Sequence, residues 1–327
     1  MIYSDLYTQT LIKPCADGAN HLKIVSGYAT SAMAFHHLED LREKGLYAHI
    51  SLLLGMCPSD GLSVSNHRGF QNILNSDVYK NHFSCSYIYK APPVHSKLYA
   101  WFRDNELYKT FIGSANYTQN AFYRQREVLA EINNSRVIRY FQELEKDSIF
   151  CNVLESEDLV RIYNDKNYYR KHTHEDGNIN SIPDSSGVEK VTISLLSRNG
   201  EVQKVGGLNW GQRTGRNPNQ AYIQLPSYVY RSNFFPKAPQ RFTVVTDDSK
   251  TFICRRAQKD ELGHAIETPQ NNSLLGEYFR YRINIPNGAP IWKIDLERYG
   301  RIDVTFYKFD DENYYMDFQP HDKQWII

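Results

Sequence analysis

The chain lacks the cysteine pairs of a disulfide scaffold. Its five cysteines, Cys15, Cys57, Cys85, Cys151 and Cys254, are odd in number, widely spaced and free of any Cys-x-x-Cys pair. That usage fits a reducing compartment, so a cytoplasmic location is expected. Long apolar runs are missing as well: none approaches the roughly 20 residues that a bilayer span requires. No basic segment leads an apolar core near residue 1. Membrane insertion and secretion are therefore not expected. Metal-ligand clusters are scarce. His172 and His174 stand two apart with no thiol or further histidine beside them, and no metal is expected there. Net charge is nearly absent, at +1.

What is present fills two domains. A chain of 327 residues with 41% hydrophobic content exceeds the usual single core and has the apolar material to fold. Charge is balanced in both halves, but within 198–256 ten Lys or Arg face only Glu201, Asp247 and Asp248. Nucleic acid would answer to such a stripe, since each phosphate neutralised releases counterions. Residues 167–190 are polar and broken by Gly177, Pro183 and Gly187, which predicts a linker between a domain over 1–166 and another over 191–327.

The first domain alternates strands and helices. Strands are expected over 22–28, 48–55 and 84–89, with an amphipathic helix over 31–44 stopped by Gly45 and a short helix over 69–74. Pro92-Pro93 turns into a strand carrying Val94-His95-Ser96-Lys97-Leu98-Tyr99, and Ser135 is expected to cap a further helix. The second domain reads as short alternating strands over 191–196, 221–225, 241–245, 251–255, 281–285 and 301–308, which points to a compact β-barrel. The aromatic, acidic tail over 310–325 is expected to pack on that barrel or to repel non-target surfaces rather than to bind DNA.

Chemistry concentrates in the first domain. His95 and Lys97 share a strand face because side chains two apart do. Gly113-Ser114-Ala115-Asn116 follows, with Gly113 letting the backbone come close to a ligand. An imidazole nucleophile, a fixed cation and polar donors are the groups a metal-free phosphodiesterase needs. The two other His-x-Lys triplets, His21-Leu22-Lys23 and His321-Asp322-Lys323, have no Gly-Ser-x-Asn partner and are expected to be structural.

At these residues the chain resembles the phospholipase D superfamily, whose signature is His-x-Lys, four further residues, an Asp, then Gly-Ser-x-x-Asn or Gly-Ser-x-Asn. One position departs: the Asp falls at Phe102, and Asp104 is out of register by two. Glu127, in Arg126-Glu127-Val128-Leu129, is expected to stand in and to hydrogen-bond the ring of His95; the alternative is an exposed charge paired with Arg124 or Arg126. This combination resembles the metal-independent restriction endonucleases of the BfiI and NgoFVII kind. The resemblance covers roughly residues 1–160. It implies an α/β sandwich with a mixed sheet, a phosphohistidine on His95, phosphoryl contacts from Lys97, Ser114 and Asn116, and no cofactor. Since the chemistry uses two histidines and the chain has one motif, it also implies a homodimer sharing one site.

The second domain resembles the B3-like DNA-binding pseudobarrel of the same enzymes. Its first arm would be the loop over 209–220, with Trp210, Gln212, Arg213, Arg216, Asn217, Asn219 and Gln220, side-chain types that read guanine and adenine edges. Its second arm would follow Arg255 and Arg256, with Lys259, Gln270, Asn271 and Asn272. Double-stranded DNA is the implied partner. A separate helicase-like ATPase subunit, through which alone ATP would enter, and a companion DNA methyltransferase in a prokaryotic cell are further implications. Two other readings stay open: a phosphodiesterase acting on a non-DNA diester, and a catalytically silent DNA-binding protein.

Overall fold

The computed structural model describes residues 1–163, 188–257 and 262–321. The chain divides into two compact units, Met1–Tyr168 and Tyr169–Ile327. Most of the expected linker, with His172, His174 and Pro183, lies outside the described residues, as does Lys259.

The first unit contributes β1 (His21–Ser26), β2 (His49–Leu54), β3 (Leu62–Ser63), β4 (Phe83–Ile88), β5 (Leu98–Arg103), β6 (Glu106–Gly113), β7 (Leu129–Ile132), β8 (Ser148–Phe150) and β9 (Ile162–Tyr163). Seven of these form one sheet in the order β7-β6-β5-β1-β2-β4-β8. β1, β2 and β4 run parallel, and β5 to β8 pair antiparallel, so the sheet is mixed. Strands covered on both faces read as continuous apolar runs, and Leu52, Leu53 and Leu54 are such a run, all buried.

One face carries the helix Ser31–Glu43, whose N-cap Thr30 accepts a hydrogen bond from Met33 N at 3.2 Å. The helix Val64–Leu74 packs beside it, and a Cβ on Gly69 would sit 2.1 Å from Ser31 Oγ. On the other face the helix Arg136–Glu145 lays Val137 and Phe141 over Val25, Leu53, Ile88, Leu98, Ala100 and Phe102. Ser135 precedes that helix without a side-chain cap bond. Phe102 is thus a core residue on β5.

The second unit contributes β10 (Lys190–Ser194), β11 (Ile223–Gln224), β12 (Arg241–Thr246), β13 (Thr251–Ala257), β14 (Ala265–Glu267), β15 (Asp303–Lys308) and β16 (Asn313–Asp317). They form a curled sheet ordered β10-β15-β16-β12-β13-β14-β11, antiparallel except between β12 and β16. Phe235, Phe242, Phe279, Phe306, Tyr314 and Phe318 crowd its core. Two expectations change. Residues 281–285, read as a strand, hold the end of the helix Ser273–Arg282 and the turn after it; Leu275, Tyr278 and Phe279 face inward at helical spacing. The tail does more than pack on the barrel, since β16 is paired on both sides. No helix among the described residues is long and apolar enough to cross a membrane.

Candidate active site

The carboxyl ends of β1 and β2 run into Gly27 and Gly55, and both positions need the missing Cβ. A Cβ on Gly55 would lie 1.9 Å from the Val94 carbonyl oxygen, and one on Gly27 would lie 2.8 Å from His95 Cδ2. Val94 N donates to Gly55 O at 2.9 Å. Residues 94–97 are thereby laid past the strand ends before β5 starts at Leu98. His95 and Lys97 therefore precede the strand that was expected to contain them.

The segment before β5 still brings the two together. Lys97 Nζ lies 2.9 Å from His95 Nε2 and donates to His95 O at 2.7 Å. An ammonium only donates, so in this contact Nε2 receives through its lone pair. The Tyr28 ring meets the imidazole edge-on at 5.9 Å. His95 is exposed and Lys97 buried. Burial pulls the Lys97 ammonium below the ordinary lysine range, and the Glu127 carboxylate opposes that shift.

Gly113 ends β6 where a Cβ would meet Val128 O at 2.0 Å. That close approach sets Ser114 against Glu127: Ser114 Oγ donates to Glu127 Oε2 and accepts from Val128 N at 3.1 Å. Gly113 N donates to Lys97 O at 3.3 Å, tying this corner to the His95 segment. Glu127 was expected on the imidazole; its hydrogen bond goes to Ser114 instead, and its charge acts on Lys97. Asn116 Oδ1 accepts from Tyr28 N at 3.2 Å and lies 3.4 Å from Ser26 Oγ. The five residues named from sequence thus lie in one neighbourhood. Sequence reasoning missed Ser26, Gly27 and Tyr28, which link Asn116 to His95; Ser-Gly at the end of an apolar strand was the available signal.

The first outer triplet is engaged in fold contacts, and of the last only His321 is among the described residues. His21 Nε2 lies 2.8 Å from Ser51 Oγ, and Lys23 pairs with Glu145 at 2.8 Å. His321 Nε2 lies 3.6 Å from Asp303. Among the described residues no group of three His, Cys, Asp or Glu is placed to hold a metal.

In the second unit the loop residues divide. Arg213, Arg216 and Asn217 are exposed, and the Arg216 guanidinium stacks 4.0 Å over the Trp210 ring while donating to Gln220 Oε1 at 3.0 Å. Gln212 and Asn219 instead brace the loop: Gln212 Nε2 donates to Pro218 O and Gly288 O, and Gly288 N donates to Asn219 Oδ1 at 2.7 Å. Gln270 and Asn271 are exposed, and Asn272 O accepts from Ala221 N at 3.0 Å. Arg255 pairs with Glu267 at 2.8 Å and keeps part of its surface. Arg256 corrects the sequence reading. It is 1% exposed and donates to the carbonyls of Gly263, Phe235, Tyr230 and Leu262, so it holds the fold and has no surface to offer DNA.

Such a fold, with a His-x-Lys segment and a Gly-Ser-x-Asn corner converging at its strand ends, defines a phosphodiesterase of the phospholipase D class, followed here by a separate β unit. The chain belongs to the NgoFVII restriction endonuclease family: residues 4–158 match the NgoFVII restriction endonuclease N-terminal PLD domain, and residues 184–310 match the NgoFVII C-terminal B3-like DNA-binding domain. The first unit is thus a phospholipase D-like α/β sandwich and the second a B3-like pseudobarrel; the protein is a DNA-cleaving hydrolase with DNA as its partner. Among solved structures it is similar to Nuc, a phospholipase D family member from Salmonella typhimurium, at 13% identity over 43% of this chain and 87% of that one, with a TM-score of 0.32. NucT from Helicobacter pylori shares 13% identity over 46% of this chain and 96% of its own, at 0.29. Polyphosphate kinase from Porphyromonas gingivalis shares 9% over 53% and 28%, at 0.31. No curated protein matches the chain.

Proposed function

We propose that this protein is a sequence-specific restriction endonuclease that cleaves DNA without a metal ion, through a phosphohistidine formed in a site shared by two copies of the chain. His95 Nε2 gives its lone pair to phosphorus, the bond from phosphorus to the leaving oxygen breaks, and the His95 of the second copy supplies the proton that this oxygen takes up. Water then attacks the phosphohistidine and gives its proton to the His95 of the second copy, the P–N bond breaks, and the phosphate end is released with both imidazoles restored. Lys97, Ser114 and Asn116 hold the non-bridging oxygens as charge grows on them. Glu127 orients Ser114 and balances the Lys97 charge.

The observation that carries this reading is the Lys97 ammonium 2.9 Å from His95 Nε2, which puts a fixed positive charge beside the nucleophilic nitrogen. Recognition falls to the second unit. There Trp210, Arg213, Arg216, Asn217 and Gln220 would meet bases and phosphates, joined by Arg255, Lys259, Gln270 and Asn271, with Gln212, Asn219 and Asn272 supporting them. The division into a nuclease domain over 1–166, a linker over 167–190 and a recognition domain over 191–327 belongs to this proposal. So do a prokaryotic cytoplasmic location, a companion methyltransferase and a helicase-like ATPase subunit.

The test incubates purified protein with plasmid libraries in EDTA, with and without ATP, and maps the ends. Site-specific cleavage in EDTA is expected, with His95→Ala inactive yet still retaining DNA. Cleavage that disappears on chelation overturns the mechanism.

A further inference from the structure

Ser26 faces no solvent, and its bonds lead to Asn116. Its Oγ is fully buried, accepts from Tyr117 N at 2.9 Å, donates to Tyr28 O at 2.6 Å and lies 3.4 Å from Asn116 Oδ1. Tyr28 N donates to the same Oδ1 at 3.2 Å. A backbone N–H donates only to the oxygen end of a carboxamide, so these contacts decide which way the Asn116 amide is turned. Oδ1 faces the end of β1. Among the described residues the Nδ2 end has no hydrogen-bond partner, which leaves it to donate to a ligand. The same three-residue turn also seats His95, through the room at Gly27 and the edge of the Tyr28 ring.

We propose that Ser26 is a positioning residue for the cleavage reaction: by bonding Tyr28 O and Tyr117 N it fixes the backbone on either side of Asn116, so that the Tyr28 amide meets Oδ1 and the carboxamide keeps its NH2 group toward the phosphoryl oxygens. It acts on the rate through Asn116 alone. This rests on the phosphoryl-binding role given to Asn116 above.

The test is a double-mutant cycle. Single-turnover DNA cleavage is measured for the wild type, Ser26→Ala, Asn116→Ala and the double variant, with DNA affinity and melting temperature recorded for each. Ser26→Ala is expected to slow cleavage about tenfold with DNA affinity unchanged, since misplacing one preorganised donor costs rate rather than binding. In the Asn116→Ala background the same change is expected to cost less than about twofold, because the group it positions is gone. A purely structural role would depress the rate equally in both backgrounds, and that result overturns the proposal. Where Ser26→Ala does not fold, Ser26→Cys, which keeps the size and a weak hydrogen-bonding group, replaces it in the cycle. Where Asn116→Ala cleaves too slowly to time, calorimetric affinity for tungstate, a tetrahedral oxyanion, is compared across the four proteins with the same pattern expected. Normal cleavage by His95→Ala would instead remove the reading beneath the proposal, so the two failures are distinguishable.

Discussion

Gly27→Ala separates catalysis from stability. The added Cβ would lie 2.8 Å from His95 Cδ2, against an ordinary contact of 3.4–4 Å, so the imidazole must retreat by about 0.6–1.2 Å. It can do so, because His95 is exposed. Gly27 does not have a positive φ, so alanine meets no backbone penalty there and removes freedom from the unfolded chain, a gain of about 0.4–1 kcal/mol. The tighter contact with Met56 Cγ at 3.3 Å works against that gain. Melting temperature should therefore move little. A nucleophile displaced by about 1 Å costs on the order of 100-fold in rate, or about 2.7 kcal/mol of barrier. Single-turnover cleavage of end-labelled DNA, read beside a melting curve and a DNA-retention assay, measures all three quantities. A variant that cuts at the wild-type rate would show that the Gly27 contact does not seat the nucleophile. One that loses its fold along with its activity would show that the glycine serves packing only.

Two further outcomes follow from buried groups. His37 is fully buried, with Nε2 at 3.1 Å from Leu11 O and Nδ1 at 2.9 Å from Tyr117 OH, and burial lowers its pKa from 6.5 to about 4. The folded form stays neutral while the unfolded chain takes up a proton first, so this stability is complete above pH 6.5 and drains away as pH falls toward 4, about 3 kcal/mol in all. Urea titrations of the wild type and His37→Gln at pH 7 and pH 4 should differ by that slope; equal slopes would refute it. Arg256→Ala should destabilise the second unit by about 3 kcal/mol or more, because it strands buried carbonyls, whereas Arg216→Ala, at an exposed guanidinium, should leave the melting temperature within a few degrees; thermal melts of both variants check the contrast.

The strands of the first unit were legible because parallel strands buried on both faces leave unbroken apolar runs such as Leu52 to Leu54. The helix Val64–Leu74 was seen only in part. Its first turns bury polar residues, Asn66 bonded to Ser31 N at 2.8 Å and His67 to Tyr87 OH at 3.1 Å, so they carry no apolar stripe. Around 281–285 the alternation of Tyr281, Ile283 and Ile285 imitates a strand; the longer helical spacing from Leu275 wins because it fills the barrel core. The candidate site was legible as residue types, since His95, Lys97, Ser114 and Asn116 stand in a recognisable spacing. Its wiring was not. That Glu127 serves Ser114, that Ser26 serves Asn116 and that Arg256 is buried all depend on which backbone passes close by, and no local pattern encodes that.

β16 lies between β15 and β12, so the last strand among the described residues completes the middle of the second sheet. The final strand of the first unit, β9, ends at Tyr163. On a ribosome the cutting half can therefore finish folding long before the reading half, whose sheet stays split until the residues around Asn313 have emerged. A chain released early would carry the blade without the means to choose where it falls.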